Sequence, residues 1–364
     1  MLKNKKIVNF AKICLLLVFI AIVGITLNGF LFNGFTPSEK NKPIIPTIKK
    51  KFFDVDLVYL WCDGEDPQFK EKKNYWLKQE NKDADRQATA TGRFEQIDEL
   101  KYSLRSVEKY IPWVRHIYIV TYEQVPSWLN TKHPKITVVD HSQILPKEYL
   151  PVFNSNAIET GIYKIPGLSE HFLYANDDTF INRPLKRSFF FKKGKPIVRV
   201  RPQPPLNLIS QYHRQILNVI ELAEKDFDSL IPRLSDRQFT PHHNIDAYLK
   251  SDYKACVEHF EKEYNETLTH RFRKDTSVQR LLVSMWSVMK KHSIVKVVRA
   301  SKKKPRKIDS LYIVNRKKNY AKKIERLNPG LFCINDSEFS TQKDRMRLKE
   351  YLGQRFPEKS QFEL

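Results

Sequence analysis

The chain has 364 residues, of which 41% are hydrophobic and 12% aromatic, and its formal net charge is +23. This apolar content is enough for one large folded domain, and no low-complexity stretch or fixed repeat divides it. The charge favours anionic partners such as nucleic acid, anionic lipid or phosphorylated substrates. No zinc-finger, homeodomain or RNA-recognition pattern accompanies the charge, so we expect no nucleic-acid partner.

A long apolar segment lies near the N-terminus. Residues 13–32 (ICLLLVFIAIVGITLNGFLF) carry no charge and are long enough to cross a bilayer as a helix. No small-x-small cleavage site follows, which favours an uncleaved anchor over a signal peptide. We predict a basic N-terminus over residues 1–12, a transmembrane anchor over 13–32, a stalk over 33–51 and one folded domain over 52–364. Lysines on both sides of the anchor leave its orientation open.

Apolar segments of strand length alternate with helical ones in the first half of the folded domain. This alternation favours an α/β fold with a mainly parallel, Rossmann-like sheet. Strands are predicted over residues 54–61, 116–121, 136–139 and 171–175, and helices over 66–82 and 99–110. From about residue 207 the pattern becomes helical, which predicts helices over 217–226, 245–264 and 277–290.

Two acidic turns follow predicted strands. Asn176-Asp177-Asp178 comes directly after the fourth strand, and ligands in open α/β sheets bind at the carboxyl ends of strands. Two adjacent carboxylates there suit Mg²⁺ or Mn²⁺ bridging a pyrophosphate. Asp63-Gly64-Glu65-Asp66 follows the first strand, where Gly64 permits a tight turn with free backbone amides. Both patterns are also typical of ordinary turns and helix caps.

Two basic segments lie in the later half. Pro241-His242-His243-Asn244 is predicted to open a helix, where a histidine suits either a general base or a helix cap. His270-Arg271-Phe272-Arg273 provides two guanidinium groups for phosphate, although such a tetrad is also typical of solvated surface. The scattered Cys14, Cys62, Cys256 and Cys333 indicate neither a disulfide framework nor a zinc site.

Four blocks of the sequence resemble, in order, the conserved blocks of the Stealth proteins. They are DLVYLWCDGEDP; ELKYSLRSVEKYIPWVRHIYIVT with SNAIETGIYKIPGLSEHFLYANDDTFINRPL; TPHHNIDAYLK with HRFRKDTSVQ; and FCINDSEFS with RFPEKSQFEL. That family includes bacterial capsular polysaccharide phosphotransferases and the enzyme that adds N-acetylglucosamine-1-phosphate to lysosomal glycoproteins. The resemblance implies an enzyme that transfers a sugar-1-phosphate from a nucleotide-sugar to a glycan hydroxyl, in capsular, exopolysaccharide or cell-surface glycan synthesis.

The resemblance also implies site residues. Catalytic roles fall to His242, Asp178 and Arg273; a metal site, for Mg²⁺ or Mn²⁺, to Asp177 and Asp178; and substrate binding to Asp63, Gly64, Asp66, Glu99, Arg105, Gln279 and Asn335. The domain is expected to face the cytoplasm in a bacterium or the Golgi lumen in a eukaryote.

The sequence departs from the family pattern at two places. Gln96-Ile97 stands where many members carry Asp-Asn, and Thr276-Ser277 stands where many carry Glu-Asp. The missing carboxylates leave the metal stoichiometry open. Two alternatives therefore remain, namely a conventional metal-dependent nucleotide-sugar glycosyltransferase and a catalytically impaired binding member of the family.

Overall fold

The structure is a computed structural model that describes residues 53–80, 89, 94–202, 206, 208–227, 239–298, 308–337 and 339–364. The predicted anchor over residues 13–32 and the stalk over 33–51 lie outside these described residues. Of the helices within the described ranges, none combines the length and the apolar character needed to cross a membrane.

Strands and helices alternate along the described part of the chain. The strands are β1 (Val55–Leu60), β2 (Ile117–Thr121), β3 (Ile136–Asp140), β4 (His171–Asn176), β5 (Thr179–Ile181), β6 (Phe191–Lys192), β7 (Lys195–Pro202), β8 (Phe239–Pro241), β9 (Asp246–Leu249), β10 (Ile294–Val297), β11 (Ser310–Val314) and β12 (Leu331–Asn335). The α-helices are α1 (Pro67–Gln79), α2 (Glu99–Tyr110), α3 (Ser155–Glu159), α4 (Arg187–Phe190), α5 (Gln211–Asp226), α6 (Lys250–His259), α7 (Glu261–Thr269), α8 (Leu281–Met289), α9 (Tyr320–Leu327) and α10 (Gln342–Arg355).

The central sheet has the strand order β3-β2-β1-β4-β9. Its first four strands are parallel, and β9 pairs antiparallel with β4. β1 is buried along nearly its whole length, as expected of a central parallel strand covered on both faces. The predicted α/β fold with a mainly parallel sheet is confirmed.

The prediction of a helical later half is wrong in part. β8, β9, β10, β11 and β12 all lie after residue 207 and complete two smaller sheets and the edge of the central sheet. The helix predicted from residue 245 begins only at Lys250, because Asp246–Leu249 pairs with β4. Apolar runs of four or five residues fit a strand or a helix equally well, and long-range pairing decides between them.

Helix α2 packs against the sheet through residues at helical spacing. Leu100, Leu104 and Val107 are buried in one cluster with Leu57 and Tyr59 of β1. The helix begins at Glu99, which lies at the same edge of the sheet as the end of β4, since both line one cavity. The packing of α2 therefore brings a carboxylate to the edge where the acidic turn begins.

The strands of the central sheet end in register. Leu60 of β1 pairs with Asn176 of β4 and with Val120 of β2. Residues that follow these strands consequently emerge side by side at the carboxyl edge of the sheet, which is where ligands bind in open parallel sheets.

Candidate active site

A cavity of about 570 Å³ opens at the carboxyl edge of the central sheet. Its walls come from the ends of β1, β2, β4, β7 and β12, and from the segments that follow them. The polar residues that line it include Glu95, Gln96, Glu99, Asn176, Asp177, Asp178, Arg201, His213, His243, Arg273, Tyr312, Asn335 and Asp336. The cavity thus combines a group of carboxylates with cationic and imidazole side chains.

The adjacent carboxylates of Asp177 and Asp178 are held by separate partners. Gln96 Nε2 donates to Asp177 Oδ2 at 2.9 Å. Asn335 Nδ2 donates to Asp178 Oδ2 at 3.0 Å, and the Cys333 thiol donates to the same oxygen at 3.2 Å. β12 therefore brings two side chains from the far end of the sequence to the acidic turn. The structure unites the predicted Asp177, Asp178, Glu99 and Asn335 in one cavity.

Burial and mutual repulsion shape the protonation of these carboxyl groups. Burial, followed by the charge of Asp178, raises the pKa of Asp177 to about 6. Burial, followed by the charge of Asp177, raises the pKa of Glu99 to about 8. Close carboxylates in a buried site resist full ionisation unless a cation balances them. This end of the cavity is therefore electrostatically suited to a cation.

The donor atoms around Asp178 also fit a cation. Asp178, His243 and Cys333 each offer one ligand atom, and these atoms lie within 4.8 Å of one another. Within the described residues, buried Asp178 Oδ1 and His243 Nε2 have no hydrogen-bond partner. Buried polar atoms are normally paired. A bound ion or substrate group would satisfy both, so Asp178, His243 and Cys333 form a candidate cation site whose metal is not identified.

His243, rather than the predicted His242, lines the cavity. Its backbone has a φ of 51°, a left-handed conformation that is uncommon for a non-glycine residue and often marks a functional site. Its ring lies 5.0 Å from that of Tyr312 and 6.0 Å from that of Tyr212. Burial lowers the pKa of His243 to about 4, so the imidazole of the ligand-free chain is neutral near pH 7.

His242, which the resemblance to the Stealth proteins implies as the base, does not line the cavity. His242 is buried, and its Nε2 forms a 2.9 Å hydrogen bond with Asp246 Oδ1. The Pro241–Asn244 segment connects β8 to β9 instead of opening a helix, and in this turn the two histidines have different environments. Two consecutive histidines are indistinguishable by residue type, so only the turn geometry separates them.

Two arginines provide the cationic part of the cavity lining. Arg273 was predicted, and its NH2 group donates to the Ser155 hydroxyl. Arg201, at the end of β7, was missed. The sequence KPIVRVRP does show that Arg199 and Arg201 share one face of a strand. It does not show that the strand ends at the cavity.

The residues of the first acidic turn do not line the cavity, although their neighbour Cys62 does. Asp66 Oδ1 accepts from Phe69 N at 2.8 Å and so caps α1. Asp63 Oδ1 accepts from the backbone of Glu65 at 2.9 Å. A Cβ on Gly64 would lie 2.3 Å from the carbonyl oxygen of Phe94, so close packing explains this glycine. These are the contacts of a structural turn.

Arg105 and Gln279 also do not line the cavity. Arg105 forms a two-pronged ion pair with Glu363, with Nε to Oε1 at 2.8 Å and NH2 to Oε2 at 2.7 Å. Gln279 Nε2 donates to Gln215 Oε1 at 2.9 Å in the interior. Both contacts connect elements of the fold.

Known proteins resemble this chain over most of its folded part. The family description "Stealth protein CR2, conserved region 2" matches residues 93–198. A capsular polysaccharide phosphotransferase of Actinobacillus suis is 32% identical over 327 residues, which are 83% of this chain and 81% of that protein. The exopolysaccharide phosphotransferase cps2G of Lactiplantibacillus plantarum is 29% identical over 85% of this chain and 96% of that protein.

A shorter match is closer in sequence. The capsular polysaccharide phosphotransferase fcs1 of Haemophilus influenzae is 38% identical over 224 residues, and the match spans 60% of each protein. Among solved structures, the galactosyltransferase LgtC aligns with 83% of this chain and 95% of its own, with 10% identity and a TM-score of 0.41. The conserved region and the extended match to the Actinobacillus suis protein define a Stealth-type protein. The chain belongs to the Stealth family.

Proposed function

We propose that this chain transfers a hexose- or N-acetylhexosamine-1-phosphate from a nucleotide-sugar to a hydroxyl of a glycan acceptor, in capsular or exopolysaccharide synthesis. The proposal is carried by one observation: a Stealth-family chain places buried carboxylates, a neutral histidine and two arginines around one cavity. A phosphodiester-forming enzyme needs these groups to hold a diphosphate and to deprotonate a hydroxyl. The names of the relatives, all capsular or exopolysaccharide phosphotransferases, support the same chemistry.

The acidic end would hold a divalent cation through Asp177 and Asp178, with Asn335 beside them. Oxygen ligands of this kind suit Mg²⁺ or Mn²⁺. When bound, such a cation neutralises negative charge on the donor diphosphate. Because Mg²⁺ and Mn²⁺ prefer oxygen ligands, we assign the carboxylates as the ligands and not the nearby atoms of His243 and Cys333. The His243 imidazole is then left for proton transfer.

The reaction forms one bond and breaks one. His243 accepts the proton of the acceptor hydroxyl as its oxygen attacks the β-phosphorus of the donor. The bond between that phosphorus and the oxygen bridging to the α-phosphorus breaks, and the nucleoside monophosphate leaves. Arg273 binds the transferring phosphoryl group and stabilises its negative charge. Every group in this account lies at the cavity.

Release of the nucleoside product tests the proposal. The full chain is incubated with an acceptor glycan and a panel of UDP-, GDP- and CDP-linked sugars, and products are identified by mass. Phosphotransfer releases a nucleoside monophosphate from a diphosphate donor, whereas a conventional glycosyltransferase releases the diphosphate. Absence of both products, with binding of the donor intact, would support the impaired-member alternative.

Membrane attachment is part of the proposal. Residues 13–32 carry no charge, and the named relatives are bacterial, so we place an anchored chain with its domain in the cytoplasm, where nucleotide-sugars are made. Carbonate extraction of bacterial membranes should leave the chain in the pellet, and protease added to intact spheroplasts should spare the domain. Extraction or cleavage would contradict the anchor or the orientation, respectively.

A further inference from the structure

Two arginines on the same face of β7 have different environments. Arg199 is buried, and its Nε donates to Asp309 Oδ2 at 2.8 Å. Arg201 lines the cavity, and its buried Nε has no hydrogen-bond partner among the described residues. We propose that Arg201 binds the diphosphate of the donor together with Arg273. The identity of the ligand as a nucleotide-sugar rests on the proposed function.

The ring of Tyr312 fixes the guanidinium of Arg201. The guanidinium carbon lies 4.7 Å from the centre of the Tyr312 ring. Contact through the flat face of a guanidinium leaves the N–H groups in its plane free to donate. Planar N–H pairs match the oxygens of a phosphate, which can accept from them in a bidentate manner. The guanidinium of Arg201 is therefore held in place by the ring, and its Nε–H has no acceptor among the described residues. That N–H is available to a ligand.

Tyr312 also connects this cation to the acidic end of the cavity. Its hydroxyl donates to Asn335 Oδ1 at 3.3 Å, and Asn335 Nδ2 donates to Asp178 Oδ2 at 3.0 Å. The ring of His243 lies 5.0 Å from the Tyr312 ring. One tyrosine thus touches the arginine, the histidine and the asparagine that holds Asp178. A diphosphate at Arg201 would lie near the groups proposed to act on it.

The electrostatics of His243 are consistent with this arrangement. Burial lowers its pKa most, the charge of Asp178 raises it, and the charges of Arg280 and Arg201 lower it further. The geometry agrees: the ligand atoms of His243 and Asp178 lie within 4.8 Å of each other, and the Tyr312 ring contacts both the His243 ring and the Arg201 guanidinium. A phosphate group bound between an acidic and a basic wall would have its negative charge balanced by the arginine side.

Binding measurements on the full chain test the role of Arg201. The probes are UDP, CDP and GDP, each compared with its own nucleoside by isothermal titration calorimetry. The tightest diphosphate for the unmodified chain is then titrated into Arg201→Gln, Arg201→Lys, Tyr312→Leu and Tyr312→Phe. Arg201→Gln should weaken diphosphate binding at least about tenfold and leave nucleoside binding unchanged, because only the phosphate contact is lost.

The other variants distinguish the phosphate contact made by Arg201 from the support that the Tyr312 ring gives to Arg201. Arg201→Lys should recover part of the affinity, since it restores charge without the planar fork. Tyr312→Leu should weaken diphosphate binding as well, whereas Tyr312→Phe, which keeps the ring, should do so less. The matched control is Arg326→Gln, which removes an exposed arginine of α9 and should bind both probes normally.

Two results would overturn the inference. One is diphosphate binding by Arg201→Gln as tight as that of Arg326→Gln. The other is an equal loss of nucleoside and diphosphate binding in Arg201→Gln at an unchanged melting temperature, which would show that Arg201 does not act through the phosphates. Failure of the proposed reaction is a separate outcome. If diphosphate affinity depends on Arg201 but no nucleoside monophosphate is released, the reaction is wrong and Arg201 is still a phosphate ligand.

Discussion

His242 Nε2 and Asp246 Oδ1 form a partly buried hydrogen bond of 2.9 Å. Arg280 Nε also donates to Asp246, at 3.3 Å, and Arg280 NH1 pairs with Glu159 at 3.1 Å. Although burial alone would raise the pKa of Asp246, His242 and Arg280 hold it below its usual range. His242 therefore belongs to a charged network that supports the turn on which His243 is presented.

This arrangement predicts different defects for the two neighbouring histidines. His243→Ala should lower kcat about 100-fold or more, because the proposed base is lost, while the melting temperature changes little. His242→Gln should lower the melting temperature, since a buried partner of Asp246 is lost, and should keep more of the activity. Steady-state kinetics and thermal denaturation of both variants provide the measurement. The reverse pattern would return the base to His242.

The carboxylate of Asp178 should govern metal dependence. Asp178→Asn keeps the shape of the side chain and removes its charge, so activity should fall at least about 100-fold and respond weakly to added Mg²⁺ or Mn²⁺. Activity of the unmodified chain should vanish after exhaustive EDTA treatment and return with the metal. Full activity after EDTA treatment would contradict the proposed cation site.

Gln96 should tune the same site through Asp177. Trp61 Nε1 donates to Gln96 Oε1 at 3.2 Å, which orients the amide so that its Nε2 faces Asp177. Gln96→Leu removes this support, so about tenfold more metal should be needed for half-maximal activity. The matched control is Gln279→Leu, whose amide bonds Gln215 in the interior. An equal shift in the metal requirement of both variants would rule out a specific role for Gln96.

Arg105 should stabilise the fold without binding substrate. Its partner Glu363 has a side chain only 5% exposed, so Arg105→Gln leaves a buried carboxylate without its cation and held by Ser360 alone. We expect a loss of about 3 kcal/mol in the free energy of unfolding, with an unchanged KM for the donor. Lys109→Gln, which breaks an exposed pair with Glu358 at 3.7 Å, should cost less than about 0.5 kcal/mol. A raised donor KM in Arg105→Gln alone would restore its predicted substrate role.

The same ion pair should make part of the stability depend on pH. Burial, the largest single cause, acts to raise the pKa of Glu363, but the hydrogen bonds from Arg105 and Ser360 together with the charge of Arg105 lower the pKa overall. A carboxyl whose pKa is lower in the folded chain stabilises the fold above its unfolded pKa and loses that effect as pH falls through its folded pKa. Denaturant unfolding should therefore show a difference between the unmodified chain and Arg105→Gln that is steady near pH 7 and shrinks below about pH 4. A constant difference down to pH 3 would contradict this.

Local patterns in the sequence predicted the first half of the fold well. The helix over Glu99–Tyr110 was predicted at its observed bounds because Leu100, Leu104 and Val107 repeat at helical spacing. Strands β1, β2, β3 and β4 were predicted within one residue or so at each end. The acidic turn after β4 was predicted at the carboxyl edge because the topology of a parallel sheet places it there.

The rest of the site depends on contacts between distant parts of the chain. Arg201, Tyr312 and Asn335 line the same cavity as Asp178 only because three separate sheets end around it. No local pattern reveals that β12 sends Asn335 to Asp178, 157 positions away in sequence. Likewise, Arg105 lies in a block that resembles the Stealth proteins and was predicted to bind substrate, yet its side chain pairs with Glu363 at the far end of the chain. Long-range packing, which a single sequence does not display, decided these positions.

The fate of the β-phosphorus shows which bond of the donor breaks. A nucleotide-sugar labelled with ³²P at the β-position is incubated with the full chain, acceptor glycan and Mg²⁺ or Mn²⁺, and the products are separated. Sugar-1-phosphate transfer predicts that the label appears in the glycan as a phosphodiester, with unlabelled nucleoside monophosphate released in equal amount. Label recovered in nucleoside diphosphate, with unlabelled sugar added to the glycan, would contradict the account and indicate a glycosyltransferase.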